Sequence, residues 1–294
     1  MNVKGRIRAA FLNDHGLRSG WKMARNTAVY LAVFYGAIFG LAALFGALFS
    51  AWGLTTDNLQ RAPLWARQVV IWHTDFSYAL AYVLSGLAGV LLTRRRVRGG
   101  QGSLWMGVGL GVLIASLLTA IALGSDCMRM ERPLSEPVLS ASQLASAAVL
   151  ILGKLSGEIL TKRILFEGAK RRIVGYTLVC VATFLLIGAW TGVAAAVNAV
   201  LAAIVGCALY EHGGLAASSG FQCTLYLWLG LIFGWPGLTV SVSPLYALYH
   251  ISDAWLTGGA SGVLNGWGLS IMLTALATVL LRREIQNVLR RMLK

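Results

Sequence analysis

Hydrophobic residues in this chain gather into runs of about twenty, and charge collects in the short stretches between them. The first four runs lie at 27–52, 69–93, 104–123 and 139–160. Residues 173–211 are apolar throughout, about twice the length of one membrane span, and are divided here near Trp190–Gly192. Three more runs follow at 221–235, 238–256 and 262–281, the first of them ending at Trp235-Pro236-Gly237. At 1.5 Å per residue, twenty helical residues cover about 30 Å of hydrocarbon. The pattern predicts an all-α fold: a polytopic membrane helix bundle with about eight or nine transmembrane segments.

Positive charge sets the expected orientation. Residues 1–26 carry Lys4, Arg6, Arg8, Arg18, Lys22 and Arg25 and read as a basic amphipathic segment on the cytoplasmic surface, ahead of an uncleaved first span. Arg94, Arg95, Arg96 and Arg98 close the second run, and Lys162, Arg163, Lys170, Arg171 and Arg172 follow the fourth. The connection between runs three and four mixes Asp126, Arg129, Glu131, Arg132 and Glu136 with Pro133 and Pro137. Basic loops stay on the inner side, which places the N-terminus in the cytoplasm. The tail 282–294, with Arg282, Arg283, Arg290, Arg291 and Lys294, is also basic. Nine full crossings would put it outside, so eight crossings plus one broken or partial segment are expected. The expected location is a bacterial plasma membrane.

Composition narrows the function classes. Of 294 residues, 57% are hydrophobic and 12% charged, and no window between the runs is long enough for a soluble domain. The whole chain, 1–294, reads as one membrane domain. A net charge of +14 would suggest nucleic acid in a soluble protein. Here it sits in inner loops, so anionic lipid head groups are the expected partners and nucleic acid is not. The four cysteines have no metal-type spacing and read as small buried thiols. Glycines inside runs, as in Gly107-Val-Gly109-Leu-Gly111, allow close helix packing.

Ionisable groups within spans are costly and mark function or pairing. His73 and Asp75 read as interfacial polar groups. Lys154 and Glu158 are four apart on one helix face, where a structural ion pair is one reading. The other makes Glu158 a general base, with desolvation favouring proton uptake. His212, preceded by Glu211, and His250 are separated by 38 residues, the length of one helical hairpin. Both are therefore expected on the membrane side where Glu158 lies. Asp253 and Tyr246 share a helical face with His250, and Asp253 either orients the imidazole or caps the helix. Two histidines and a glutamate are ligand types that zinc accepts, but no metal is assigned.

At these residues the chain resembles the CPBP family, the CAAX-protease and bacteriocin-processing intramembrane endopeptidases. Glu158-Ile-Leu-Thr-Lys-Arg163 is similar to its Glu-Glu-x-x-x-Arg motif. Ala208-Leu-Tyr-Glu-His212 resembles Phe-x-x-x-His, and His250-Ile-Ser-Asp-Ala254 resembles His-x-x-x-Asn/Asp. Gly16-Leu-Arg-Ser-Gly-Trp-Lys22 and Phe221 through Gly234 also look like family segments. Departures fall at Ile159, Ala208 and Ala254, and a shifted register would set Gly157 first and Lys162 at the Arg position. The resemblance implies a catalytic core over 139–256 in which Glu158 activates water, His212 and His250 position it, and Arg163 anchors, with Glu211, Asp253 and Tyr246 in support. It implies no cofactor and a membrane-associated peptide or protein tail as substrate. Two other readings stand beside it: a catalytically degenerate relative serving as membrane scaffold or partner subunit, and a small transporter, for which no internal repeat is seen.

Overall fold

The computed structural model describes residues 12–13, 16–17, 19–54, 63–93, 101–130, 141–169, 171–191, 193–235, 248–251, 254–282 and 286. The fold is all-α, and the described residues add two short ladders. Strand β1 (Leu12–Asn13) pairs with β2 (Gly16–Leu17), and helices α1 (Ser19–Ala51), α2 (Leu64–Thr93) and α3 (Gln101–Gly124) follow. After β3 (Met128–Met130), α4 (Ala141–Glu158) continues as a π-helix over Ile159–Phe166, and α5 covers Arg172–Thr191. Among the described residues, four stretches are long and apolar enough to cross a membrane: Gly20–Ala51, Trp72–Thr93, Ser103–Gly124 and Val193–Ile232. These are compatible with an integral membrane protein. The basic lead extends the first helix: α1 begins at Ser19, ahead of the expected residue 27, and carries Lys22 and Arg25 in its first turns.

The fourth stretch spans 40 residues, which as a straight helix would be about 60 Å long. It is not straight. Gly214 adopts φ 72° and ψ −164°, a combination essentially restricted to glycine. The Gln222 side-chain amide donates to the Ala202 carbonyl at 2.8 Å, a contact impossible along one straight rod. Residues 193–213 (α6) and 215–227 (α7) therefore form an antiparallel hairpin with Gly214 at its tip. A π-helical turn, Trp228–Ile232, continues α7.

The last expected crossings differ from the sequence pattern. Where residues 238–256 suggested a full span, the described residues form strand β4 (Leu248–His250) and one short helix, α8 (Ala254–Thr257). Two 3₁₀ turns, Gly259–Ser261 and Val263–Asn265, lead into α9 (Trp267–Leu280). An apolar run of this length carries no periodicity that separates a buried helix from a strand followed by tight turns.

The chain divides into two compact units, Met1–Arg95 with Ala148–Ile164, and Arg96–Ala147 with Leu165–Lys294. In the first, α1 and α2 are antiparallel. Trp52 meets Trp65, Phe45 meets His73, and Phe34 meets Tyr82. α4 runs parallel to α2: Tyr82 lies on Gly153, Ser85 on Ser156, and Gly89 on Ile159. Trp21 and Trp52 stand exposed near the two ends of α1, about 45 Å apart along the axis. That spacing suits aromatic anchors at two lipid–water interfaces, and the most apolar stretch of α1 between them is wholly unburied.

In the second unit α7 runs parallel to α3. Gly213 faces Ser103, Gly107 faces Ala217, and Gly111 faces Phe221 and Leu225. Farther along, Trp228 donates to Ser116 at 3.2 Å and Trp235 to Thr119 at 2.9 Å. A Cβ added to Gly107 would sit 2.0 Å from the Ala217 carbonyl oxygen, so glycine is what permits this backbone approach. At the far end of α3, β3 and β4 pair antiparallel with Met128 opposite His250, and the Ile251 amide donates to the Cys127 carbonyl at 3.0 Å.

Candidate functional site

Glu158 is the last residue of α4, at the step into the π-helix. It is buried, and its carboxylate lies 3.3 Å from the ammonium of Lys162, which is fully buried. A π-helix advances fewer degrees per residue than an α-helix, so more of its positions share one side. Leu160, Lys162, Arg163, Ile164 and Leu165 are all buried here. The sequence singled out Lys154 as the neighbour of Glu158; the structure sets Lys162, four residues on rather than four back, against the carboxylate. This is the residue that the shifted motif register places at the Arg position. Arg163 is buried in the same segment.

Hydroxyl groups hold this helix to its neighbours in the first unit. Ser156 is bonded to the Tyr30 hydroxyl of α1 at 2.5 Å and to the Ser85 hydroxyl of α2 at 3.0 Å. Tyr30 also packs against Leu160 and Ile164. Three helices thus meet on one buried serine, two residues before Glu158. These neutral residues signal themselves in the sequence only as isolated polar positions in apolar runs.

His212 occupies the last turn of α6, one residue from the hairpin's glycines. Its side chain is exposed, and Nδ1 bonds the Ala208 carbonyl of its own helix at 2.7 Å. Glu211 turns toward α5, pairing with Arg172 at 3.0 Å and accepting from the Tyr176 hydroxyl at 3.4 Å. The Tyr210 hydroxyl donates to Glu167 at 2.5 Å, and the rings of Tyr176 and Tyr210 both pack edge-on to Phe166. The hairpin tip is thereby tied by two tyrosine–carboxylate contacts, one to α5 through Tyr176 and one to Glu167, just after the π-helix.

The two candidate histidines do not converge. Gly213, beside His212, abuts Ser103 and Met106 near the start of α3, whereas His250 pairs through its backbone with Met128 beyond the end of α3. The length of α3 separates them, on the order of 30 Å. The expectation that one helical hairpin returns both to one side differs from this placement, in which His250 lies in a strand paired with β3 beyond the end of α3. Glu158 belongs to the first compact unit and both histidines to the second. Asp253 and Tyr246 lie outside the described residues. Among the described residues no three His, Cys, Asp or Glu side chains are grouped to hold a metal ion.

One buried polar centre had no counterpart in the sequence reading. Asn198 of α6, about 1% exposed, donates to the carbonyls of Leu264 at 2.8 Å and Gly266 at 2.9 Å, and accepts from Ser270 at 2.7 Å. An amide in an apolar run is as unusual as a charge there, and a list limited to ionisable residues omits it. No protein-family model, curated protein or solved structure matches the chain.

Proposed function

We propose that this chain is a multi-pass integral membrane protein of a bacterial plasma membrane, with both termini cytoplasmic, and that it serves there as a scaffold or partner subunit without peptide hydrolysis. Eight crossings fit the registers within each unit. In the first, the basic start of α1 and Lys162 and Arg163 lie at the end where α2 finishes. In the second, α3 and α7 run in one direction and α6 in the other. α9 begins beside the far part of α3, where Gly268 meets Leu118, and so runs back toward the start of α3. The segment between β4 and α9 is then the partial ninth piece.

The observation that carries the non-hydrolytic role is the buried Glu158–Lys162 pair. A water-activating carboxylate must offer its oxygens to water and substrate. Here an ammonium that is itself buried occupies one of them, and parting such a pair costs about 3–5 kcal/mol. The departures at Ile159, Ala208 and Ala254 from the CPBP motifs point the same way. A second reading, the CPBP-like endopeptidase, draws on the burial of Glu158 on a helix of the bundle, the setting in which a glutamate base acts.

Cleavage of membrane-tethered peptide tails by the purified chain in lipid vesicles separates the two. The scaffold reading expects neither wild type nor Glu158→Gln to exceed protein-free vesicles, while Glu158→Gln lowers thermal stability. Cleavage by wild type that Glu158→Gln abolishes would replace the scaffold reading with the endopeptidase.

A further inference from the structure

The segment after β4 is fastened at several points within the second unit. β4 is laddered to β3, and Ile251 is bonded to Cys127, whose side chain is buried. α8 then lies across the start of α9: a Cβ on Gly266 would be 2.5 Å from the Leu256 carbonyl oxygen, and one on Gly268 2.8 Å from it. Thr257 accepts from the Gly259 amide at 3.3 Å. The two 3₁₀ turns end on the Asn198 side chain, which spends both amide hydrogens on Leu264 and Gly266. Gly258 and Gly262 have φ of 78° and 87°, in the region that favours glycine.

From this arrangement we infer that residues 254–266 are a strap closing the end of the second unit formed by β3 and the starts of α6 and α9, with Asn198 as its fastening and Gly258 and Gly262 as its hinges. It covers buried polar groups, Asn198 and Ser270, that would otherwise meet water from that end. One side-chain amide supplies both bonds to the strap. The strap's own backbone bonds are short-range, from Ser261 to Gly258, Gly262 to Gly259, Asn265 to Gly262 and Gly266 to Val263. They hold its shape whether it is docked or lifted, so undocking breaks the Asn198 bonds and the packing of Leu256 and Val263 while leaving the rest of the unit in place, a local opening. The non-cytoplasmic location of this end rests on the topology proposed above.

Cys127 is the native reporter, because it is buried where β4 leads into the strap. The rate of its reaction with a membrane-impermeant maleimide is read by peptide mass spectrometry in intact and permeabilised cells. Asn198→Ala should raise the Cys127 rate about ten-fold, the effect of losing hydrogen bonds of ordinary strength. Gly258→Ala, whose Cβ would fall 1.9 Å from the Gly262 carbonyl oxygen, should raise it too. Cys207, fully buried on α6, should stay unlabelled. If Asn198→Ala also exposes Cys207, that variant has unfolded and Gly258→Ala decides. Unchanged Cys127 labelling in the folded variants, under both conditions, overturns the strap. A raised rate seen only after permeabilisation supports the strap and overturns the proposed sidedness.

Discussion

The Gln222 side chain donates to the carbonyl of Ala202 at 2.8 Å across 20 residues of sequence, so the helix containing both must reverse. The reversal rests on Gly214 and its backbone angles. Replacing Gly214 with alanine forces a Cβ into a conformation that costs about 1–3 kcal/mol. Denaturant or thermal unfolding in detergent should show a loss of that size. Full stability in Gly214→Ala would mean that the chain does not turn there.

The tight pairing of α3 with α7 makes a second, sharper contrast. Gly107 and Gly109 are two residues apart on one helix, yet a Cβ at Gly107 meets the Ala217 backbone and one at Gly109 meets nothing within 4 Å. Gly107→Ala should destabilise by about 1–3 kcal/mol, as overpacking does. Gly109→Ala should be neutral or slightly stabilising, since alanine is the better helix former. The pair of melting temperatures checks this directly, and equal shifts would contradict the packing.

Glu158 and Lys162 should behave as one unit. Lys162→Met or Glu158→Gln alone leaves a buried partner facing an altered environment and should cost about 3–5 kcal/mol. The double variant should recover most of the loss, because two neutral side chains need no charge partner. A double-mutant cycle of unfolding free energies measures the coupling. Additive losses would show that the two groups act independently.

The separation of the candidate histidines predicts opposite labelling. Cysteines placed singly at 212 and 250, with the native cysteines replaced by serine, should react with an impermeant maleimide from opposite sides. Position 250 should react in intact cells and position 212 only after permeabilisation. Labelling of both from one side would restore the converging arrangement expected from sequence.

Much of the helical layout was legible because bilayer thickness imposes a length on apolar runs. The division near Trp190–Gly192 was readable, and so was the end of a helix at Glu211–His212. Residues 248–251 and 254–256, the described part of the run at 238–256, form a strand and a short helix, and hydrophobicity alone does not separate these from a crossing helix because burial is common to both. The strand's partner, β3, lies more than a hundred positions earlier, beyond any local pattern. That pairing sets His250 beyond the end of α3, opposite the end where Gly213 and His212 lie. Glu158 stands out in the sequence as an acidic residue in an apolar run, whereas its neighbour Lys162 reads as part of an inner basic cluster. Only the π-helical geometry shows that this lysine turns inward.

Asn198 also constrains the order of synthesis. Its hydrogen-bond partner Ser270 is 72 residues further along the chain, so α6 is made well before its amide can be satisfied. A buried amide without partners costs about 1–3 kcal/mol. Leu264, Gly266 and Ser270 can meet that need only once the start of α9 has been made. Chains truncated before residue 264 would lack all three partners of that amide.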